Sequence, residues 1–140
     1  MTEGRSVGAI IKDKNGRFLV QYRLQVPLGL ALPAGHIEPD EPAWEALARE
    51  ILEETGIKVE DAREVLCDVA FPNPCAKNHD VHRWWVFDVV KWSGKLKLKE
   101  PTKHRFVEFM SAAEMKLYAI RGEVDPVWFD YIFPALGIAI

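Results

Sequence analysis

The alternation of hydrophobic and polar residues predicts short strands in the first third of the chain. Residues 6–11 and 17–23 are apolar runs rich in β-branched and aromatic residues, and Asn15-Gly16 between them suits a tight turn. This pattern predicts a β-hairpin. Residues 24–35 mix proline and glycine with leucine, which predicts a sharply bent and partly packed loop.

The next segment has the start and stop signals of a helix. Asp40 or Glu41 lies near the cap, Pro42 occupies the first turn and Gly56 follows the end, so we predict a helix over residues 42–55. Further strands are predicted over residues 57–70, 81–92 and 105–109, and helical stretches over 112–117 and 126–136. This β-β-α-β-β-β-α order predicts an α/β fold of the α+β kind, with a mixed sheet packed against helices.

Composition places the chain among ordinary globular proteins. Of its 140 residues, 49% are apolar and 28% are charged, which is the usual balance for a folded domain. A chain of this length can bury a substantial core. We therefore expect one domain over residues 1–140.

The charge distribution argues against nucleic acid or an anionic membrane as a partner. The net charge is only -3, whereas such surfaces normally show a basic stripe or cluster. Four lysines do lie close together, but their alternation is typical of the solvated face of an edge strand; they are Lys95, Lys97, Lys99 and Lys103. We expect a small-molecule partner and a monomer or homodimer.

Cysteine usage and the C-terminal run bear on the compartment. Cys67 and Cys75 are too few for a disulfide framework, so we expect reduced thiols and a cytoplasmic protein. Residues 127–140 are apolar but are interrupted by Asp130 and Pro134, and the run is shorter than the ~20 residues that a bilayer requires. It predicts a core-packing helix, with a dimer surface as the lesser alternative.

The helix over residues 42–55 carries an unusual set of carboxylates. Glu50, Glu53 and Glu54 fall within an arc of roughly 100°, because residues three and four apart share one helix face. The adjoining arc is predicted to enter the core; it holds Trp44, Ala48, Ile51 and Thr55. Like charges at this spacing repel, and Arg49 alone cannot neutralise three of them.

Two interpretations of these glutamates remain open from the residues alone. Hard divalent cations take carboxylate and carbonyl oxygens, and Mg²⁺ is commonly held by a few carboxylates together with substrate phosphates. A solvated acidic helix face is the commoner explanation for three glutamates taken by themselves. The flanking residues decide between the two.

The 23 residues from Gly35 to Ile57 resemble the signature of the Nudix (MutT-like) hydrolases. That signature is a glycine, five residues, a glutamate, seven residues, and then Arg-Glu-aliphatic-x-Glu-Glu-x-Gly-aliphatic. Every defined position is filled without a gap, by Gly35, Glu41, Arg49, Glu50, Ile51, Glu53, Glu54, Gly56 and Ile57. The order of elements on both sides also follows the family, so the resemblance implies a Nudix fold over nearly the whole chain.

The resemblance implies a role for each residue of the signature. Glu50, Glu53 and Glu54 would hold Mg²⁺ or Mn²⁺, with the carbonyl of Gly35 as a further ligand. Arg49 would pair with nearby carboxylates and fix their rotamers. The activity implied is metal-assisted hydrolysis of a phosphoanhydride bond in a nucleoside diphosphate linked to another group.

Later residues supply the remaining candidates. Glu100, in a Glu-Pro-x-Lys stretch similar to that of nucleotide-cleaving relatives, is the candidate base, with Glu50 or Glu53 as alternatives. Arg23 and Lys103 are candidate phosphate contacts, and His82 is expected on a strand that enters the cleft.

The sequence determines neither the orientation of the two tryptophans on this strand nor the identity of the substrate. Trp84 and Trp85 point to opposite faces of their strand, one into the core and the other towards a base, in an order that the sequence leaves open. Nucleoside triphosphates and ADP-ribose-like compounds are the leading substrates. The alternative function is a catalytically silent module that binds a nucleotide and senses it.

Overall fold

The computed structural model describes residues 3–72 and 81–140. It contains both strands and helices, in the mixed α+β arrangement that the sequence predicts. In chain order they are β1 (Glu3–Ile10), β2 (Phe18–Arg23), β3 (Gly29–Ala31), β4 (Ala34–His36), α1 (Ala43–Thr55), β5 (Ile57–Pro72), β6 (Val81–Gly94), β7 (His104–Met110), α2 (Ala112–Ile120), a π-helical segment (Val127–Ile132) and α3 (Phe133–Leu136).

The strands form two sheets. The first has the order β4-β1-β6-β5 and is mixed, because β1 runs parallel to β6 while the other neighbours are antiparallel. The second has the order β3-β2-β7 and is antiparallel throughout. The predicted mixed sheet between helices is therefore confirmed, and a second sheet is added to it.

The predicted hairpin of the first two strands is wrong beyond its turn. Near the turn Asp13 N–H donates to Arg17 O at 3.0 Å, and Leu19 N–H donates to Ile11 O at 2.8 Å. The strands then separate into different sheets. Both edges of β1 are already occupied by β4 and β6, so β2 finds its partners in β3 and β7 instead.

The segment predicted as a bent loop contains two three-residue strands, β3 and β4. Leu30 and Leu32 within this stretch are fully buried. The proline and glycine of this stretch predicted a loop, and the strands were missed because each is only three residues long. They belong to different sheets. Their consequence for function is that β4 brings Gly35 beside β1, where it pairs with Val7.

Helix α1 has the ends that the sequence predicts, but its buried face is different. Gly56 ends it in the left-handed conformation at φ 79°, and a Cβ there would lie 2.8 Å from Lys95 O. The side chain of Trp44, predicted in the core, is 63% exposed. The buried residues of the helix are Ala46, Leu47, Ile51, Glu54 and Thr55.

Two apolar clusters cover opposite faces of the mixed sheet. One joins α1 to β1 and β6 through Leu47, Ile51 and Phe87. The other joins β6 to the C-terminal helices through Trp84, Trp128 and Phe133. The C-terminal apolar run thus contributes to the core, as predicted.

Two features bear on the expected partners. The lysine-rich segment between β6 and β7 is exposed but forms no strand, so the interpretation of an edge strand is wrong there. Among the helices of the described residues, none is long and apolar enough to cross a membrane. Cys67 is exposed, and Cys75 lies outside the described residues.

Candidate functional site

A cleft of about 400 Å³ lies where the two sheets and helix α1 meet. Carboxylates, cations and two indole rings share its wall. The residues used below are Arg23, Gly35, Glu50, Glu54, His82, Trp84, Glu100, Lys103, His104, Asp125 and Trp128, all of which line it. Except for Glu53 and Arg49, every residue predicted for the site lies in this lining.

Gly35 leaves room for the carboxylate of Glu50. A Cβ at position 35 would lie 2.1 Å from Glu50 Cδ and 2.2 Å from its Oε2. The carboxylate therefore sits directly against the backbone of β4, in the space that any other residue would fill. The first glycine of the predicted signature thus lets the Glu50 carboxylate lie beside the Gly35 backbone.

Glu54 is a buried carboxylate with few donors. Its Oε1 accepts a hydrogen bond from Gln21 Nε2 at 2.8 Å, and its Oε2 accepts none from the described residues. Burial raises the pKa of Glu54 well above its usual value, and the charges of Glu50 and Glu100 raise it further. A buried acid without compensating donors is destabilising, and a cation would relieve that cost.

Glu50 shares this environment. Burial raises the pKa of Glu50, although Glu54 and the Arg49 guanidinium oppose the increase. We call Glu50 and Glu54 the inner acid pair. The pair carries more carboxylate charge than the neighbouring cationic groups balance, and such oxygen-rich sites suit a divalent cation. The pair therefore fits the metal that the signature implies.

Arg49 organises the other side of the helix. Its Nε donates to Glu41 Oε2 at 2.8 Å and its Nη2 donates to Glu41 Oε1 at 2.9 Å, a bidentate pair. Its Nη1 donates to Glu50 Oε1 at 2.9 Å, and its Nη2 also donates to His36 O at 3.2 Å. These contacts, which we call the Arg49 network, hold the pKa of Glu41 down at about 2, chiefly through the hydrogen bond from Arg49.

Glu53 occupies a different position from its two neighbours. Its side chain is 55% exposed, it lies outside the cleft lining, and its Oε2 is 3.5 Å from Arg49 Nη1. Adjacent residues of a helix point about 100° apart, so Glu54, three residues after Ile51, enters the core beside it while Glu53 remains at the edge. The three glutamates predicted on one arc are therefore divided between two environments.

The candidate phosphate contacts lie in the lining but are already engaged. Arg23 Nε donates to Pro27 O at 2.8 Å, which ties the guanidinium to the loop after β2. Lys103 Nζ lies 3.2 Å from Glu100 Oε2. His82 is buried, with its Nδ1 2.9 Å from Ser6 Oγ. The first two keep cationic groups at the cleft, whereas His82 is part of its buried wall.

His104 is a site residue that sequence reasoning missed. It follows Glu100 by four residues, and one donor atom each from Glu54, Glu100 and His104 lies within 4.8 Å of the others. Burial, followed by the charge of Arg23, lowers the pKa of His104 to about 4. The imidazole is therefore neutral at neutral pH. The spacing Glu-x-x-x-His was the available signal.

The opposite wall of the cleft is aromatic. Trp84, and not Trp85, lines it, and the indole rings of Trp84 and Trp128 meet edge to face at 5.8 Å. Neither indole Nε1 has a hydrogen-bond partner among the described residues.

Asp125, which sequence reasoning also missed, lies beside the aromatic wall. Its Oδ1 accepts a hydrogen bond from Val127 N–H at 3.0 Å, while burial raises its pKa to about 6. This wall thus offers flat rings together with polar groups that can read a ligand.

Comparison with known proteins places the chain among characterised folds. A family model described as NUDIX domain matches residues 2–130. No curated protein gives a match.

Solved structures give similar chains. A MutT NUDIX hydrolase from Burkholderia pseudomallei is 28% identical, with a TM-score of 0.70, over 81% of this chain and 87% of that one. A MutT protein from Methanosarcina mazei Go1 is 25% identical, with a TM-score of 0.65, over 95% and 92%. A MutT protein from Bacillus halodurans, at 18% identity and a TM-score of 0.68 over 94% and 80%, shares the fold.

Proposed function

This chain belongs to the NUDIX domain family and is a Nudix hydrolase, and we propose that it uses Mg²⁺ or Mn²⁺ to hydrolyse a phosphoanhydride bond. The substrate is a nucleoside diphosphate linked to another group, such as a nucleoside triphosphate or an ADP-ribose-like compound. The proposal includes a single domain over residues 1–140, acting in the cytoplasm.

The inner acid pair is the observation that supports this proposal most directly. Two neighbouring carboxylates line the cleft, Glu54 buried and Glu50 partly buried, and burial raises the pKa of both. A divalent cation supplies the missing positive charge, neutralises phosphate oxygens and makes a water molecule more acidic. Without such a ligand the pair would only destabilise the fold.

The ligand set in this proposal is the carbonyl of Gly35 with the carboxylates of Glu50, Glu53 and Glu54. Glu50 and Glu54 are already at the cleft. Glu53 joins them by rotation about its side-chain bonds, which are unrestrained at 55% exposure and need to break only the 3.5 Å contact with Arg49. Arg49 meanwhile keeps Glu50 in one orientation through its contact at 2.9 Å.

The remaining polar residues of the lining handle the phosphates and the proton. Arg23 and Lys103 are positively charged groups on one side of the cleft, suited to phosphate oxygens. Glu100 is the proposed base, since its half-buried carboxylate lies in the lining near the inner acid pair. His82 would act from the wall, through the shape that its buried ring gives to the cleft.

The nucleoside end of the substrate is assigned to the aromatic wall. The edge-to-face rings of Trp84 and Trp128 and the carboxyl group of Asp125 would give the base an apolar wall with a hydrogen-bonding group beside it. A phosphate end and a base end within one cleft match a nucleotide better than an inorganic phosphate chain.

Hydrolysis of a substrate panel tests the proposal. The chain is incubated with nucleoside triphosphates, sugar nucleotides and dinucleotides, each with Mg²⁺ and with the metal chelated, and products are separated by chromatography. We expect at least one compound to be cut between phosphates only when Mg²⁺ is present. Binding of nucleotides without any cleavage would instead support the silent sensor, and metal-independent cleavage would contradict the assigned chemistry.

A matched variant keeps the panel interpretable. Glu45→Gln removes an exposed carboxylate in the first turn of α1, away from the cleft lining. Its activity should equal that of the wild-type chain with every substrate. A loss equal to that of a cleft variant would mean that the overall charge of the helix, rather than the inner acid pair, supports turnover.

A further inference from the structure

Gln21 is a buried polar residue that contacts the inner acid pair from outside the cleft lining. It lies on β2, is 2% exposed, and is not among the described residues that line the cleft. Its Nε2 donates a hydrogen bond to Glu54 Oε1 at 2.8 Å. This contact joins the second sheet to helix α1 at one member of the pair.

The backbone of Gln21 is held on both sides. β2 is the central strand of its sheet, and Gln21 pairs with Ala31 of β3 and with Val107 of β7. Side chains that leave the strands of a scaffold keep their positions more precisely than side chains on loops. Gln21 is therefore a fixed donor, and the orientation of the Glu54 carboxylate is set against it.

The contact makes the two oxygens of Glu54 different. The last side-chain torsion of a glutamate is only weakly restricted by itself. The hydrogen bond from Gln21 restrains it by engaging Oε1, and His104 Nε2 lies 3.6 Å from that same oxygen. Glu54 Oε2 accepts no hydrogen bond within residues 3–72 and 81–140. One oxygen is thus anchored to the protein, and the other is left for a ligand.

The donor that anchors Glu54 carries no charge. A lysine or arginine in its place would form a stronger hydrogen bond but would also neutralise the carboxylate. The amide of Gln21 donates without adding positive charge. It can therefore fix the direction of Glu54 and leave its negative charge available to a cation.

We propose that Gln21 is a positioning residue, which orients Glu54 so that Oε2 is presented to the cation. The inference rests on the proposed function, because it takes the inner acid pair to bind a divalent cation. Hydrogen bonds to the carboxylates that ligate a metal typically change its affinity about 10–100-fold. The loss of Gln21 should therefore reduce metal affinity by more than a change in stability explains.

Mn²⁺ binding to the metal-free chain tests this without turnover. Gln21→Met removes the donor and keeps the length of the side chain. The protein is titrated with Mn²⁺ in the absence of nucleotide, and free Mn²⁺ is measured by electron paramagnetic resonance. We expect the dissociation constant of Mn²⁺ to rise about tenfold. In kinetics, the Mn²⁺ concentration for half-maximal activity should rise similarly, while KM for the nucleotide at saturating Mn²⁺ stays unchanged.

Thr55→Val is the matched control for the loss of a buried hydrogen bond. Thr55 is buried on the same helix, and its Oγ1 donates to Ile51 O at 2.7 Å. This variant should lose stability in urea denaturation and keep the Mn²⁺ affinity of the wild-type chain.

A second variant keeps the test decisive if Gln21→Met does not fold. Gln21→Asn retains an amide but withdraws it by one carbon–carbon bond, about 1.5 Å, so it should also weaken Mn²⁺ binding. Wild-type Mn²⁺ affinity in the folded Gln21 variants would overturn the inference and leave Gln21 a structural residue. A wild-type chain that binds no Mn²⁺ would contradict the proposed function itself, and this inference with it.

Discussion

Two groups of carboxylates meet at helix α1 and are in opposite electrostatic states, one of them formed by Glu41 just before the helix and the other by Glu50 and Glu54 within it. On one side the Arg49 network compensates Glu41, whose pKa falls to about 2. On the other side the inner acid pair is buried with too few donors, and the pKa of both members rises. The charge of Glu41 is compensated by Arg49, whereas the inner acid pair is the place where we propose that a cation binds.

The difference shows how a small fold separates stability from chemistry. Paired charges near the surface fix the geometry of the helix and its preceding loop at modest cost. Unpaired buried charges cost stability and are kept where a ligand needs them. Glu50 belongs to both groups, since Arg49 orients it while Gly35 admits it to the cleft.

Of the variants considered, Glu54→Gln should reduce turnover most. Turnover should fall about 10³-fold, because a ligand that supplies several kcal/mol of charge stabilisation is lost. The free energy of unfolding should stay the same or rise, since the variant removes a buried charge. Steady-state kinetics and urea denaturation measure the two quantities. A large loss of stability together with activity would show that Glu54 is structural.

Glu53→Gln tests whether the exposed Glu53 acts together with the inner acid pair. Turnover should fall about 100-fold, since Glu53 completes the ligand set by rotating away from Arg49. Stability should change little, because the side chain is 55% exposed. Activity within about threefold of the wild-type value would remove Glu53 from the ligand set and leave the inner acid pair alone.

Arg49→Met removes the Arg49 network, which compensates the charge of Glu41. We expect the free energy of unfolding to fall by about 2 kcal/mol, as charged hydrogen bonds to Glu41 and Glu50 are lost. Activity should also fall, by a smaller factor than in Glu54→Gln, because Glu50 loses its orientation. Denaturation of Glu41→Gln provides the matched comparison. An unchanged stability in both variants would contradict the role of the network.

Asp125→Asn should have the smallest effect on turnover, and its effect on stability should depend on pH. The folded pKa of about 6 lies above the ordinary 3.8, so the wild-type chain loses stability as pH rises through that window. The variant has no such loss, so its stability relative to the wild-type chain should rise by about 2 kcal/mol between pH 4 and pH 7. Denaturation at pH 4 and pH 7 measures this. Equal differences between the two chains at both pH values would exclude the buried carboxyl as the cause.

The sequence predicts the fold where local signals are strong. Pro42 and Gly56 mark α1 to within one residue, and the long strands β5 and β6 begin at the residues predicted for them. The pairing of β1 could not be predicted, because it depends on β4 and β6, which are distant in sequence. The burial of Glu54 and the exposure of Trp44 could not be predicted either, because a hydrophobic pattern places tryptophan before glutamate in the core.

The sequence motif identified those cleft residues that are brought together by local structure, and it missed those that are brought together by the packing of distant elements. Gly35, Glu50 and Glu54 are neighbours through one helix and one adjacent strand, so their spacing in sequence reports their contact. His104 and Asp125 reach the cleft from the start of β7 and from before the π-helical segment. Their contribution depends on the packing of two sheets, which no local pattern of residues encodes.

Anomalous diffraction from crystals soaked with Mn²⁺ and a non-hydrolysable nucleotide tests the central claim most directly. The claim is that the inner acid pair holds a cation against the bridged phosphates of the substrate. We expect an anomalous peak within about 2–2.5 Å of a carboxylate oxygen of both Glu50 and Glu54, in contact with a phosphate oxygen. A bound nucleotide with no peak beside either carboxylate would contradict it.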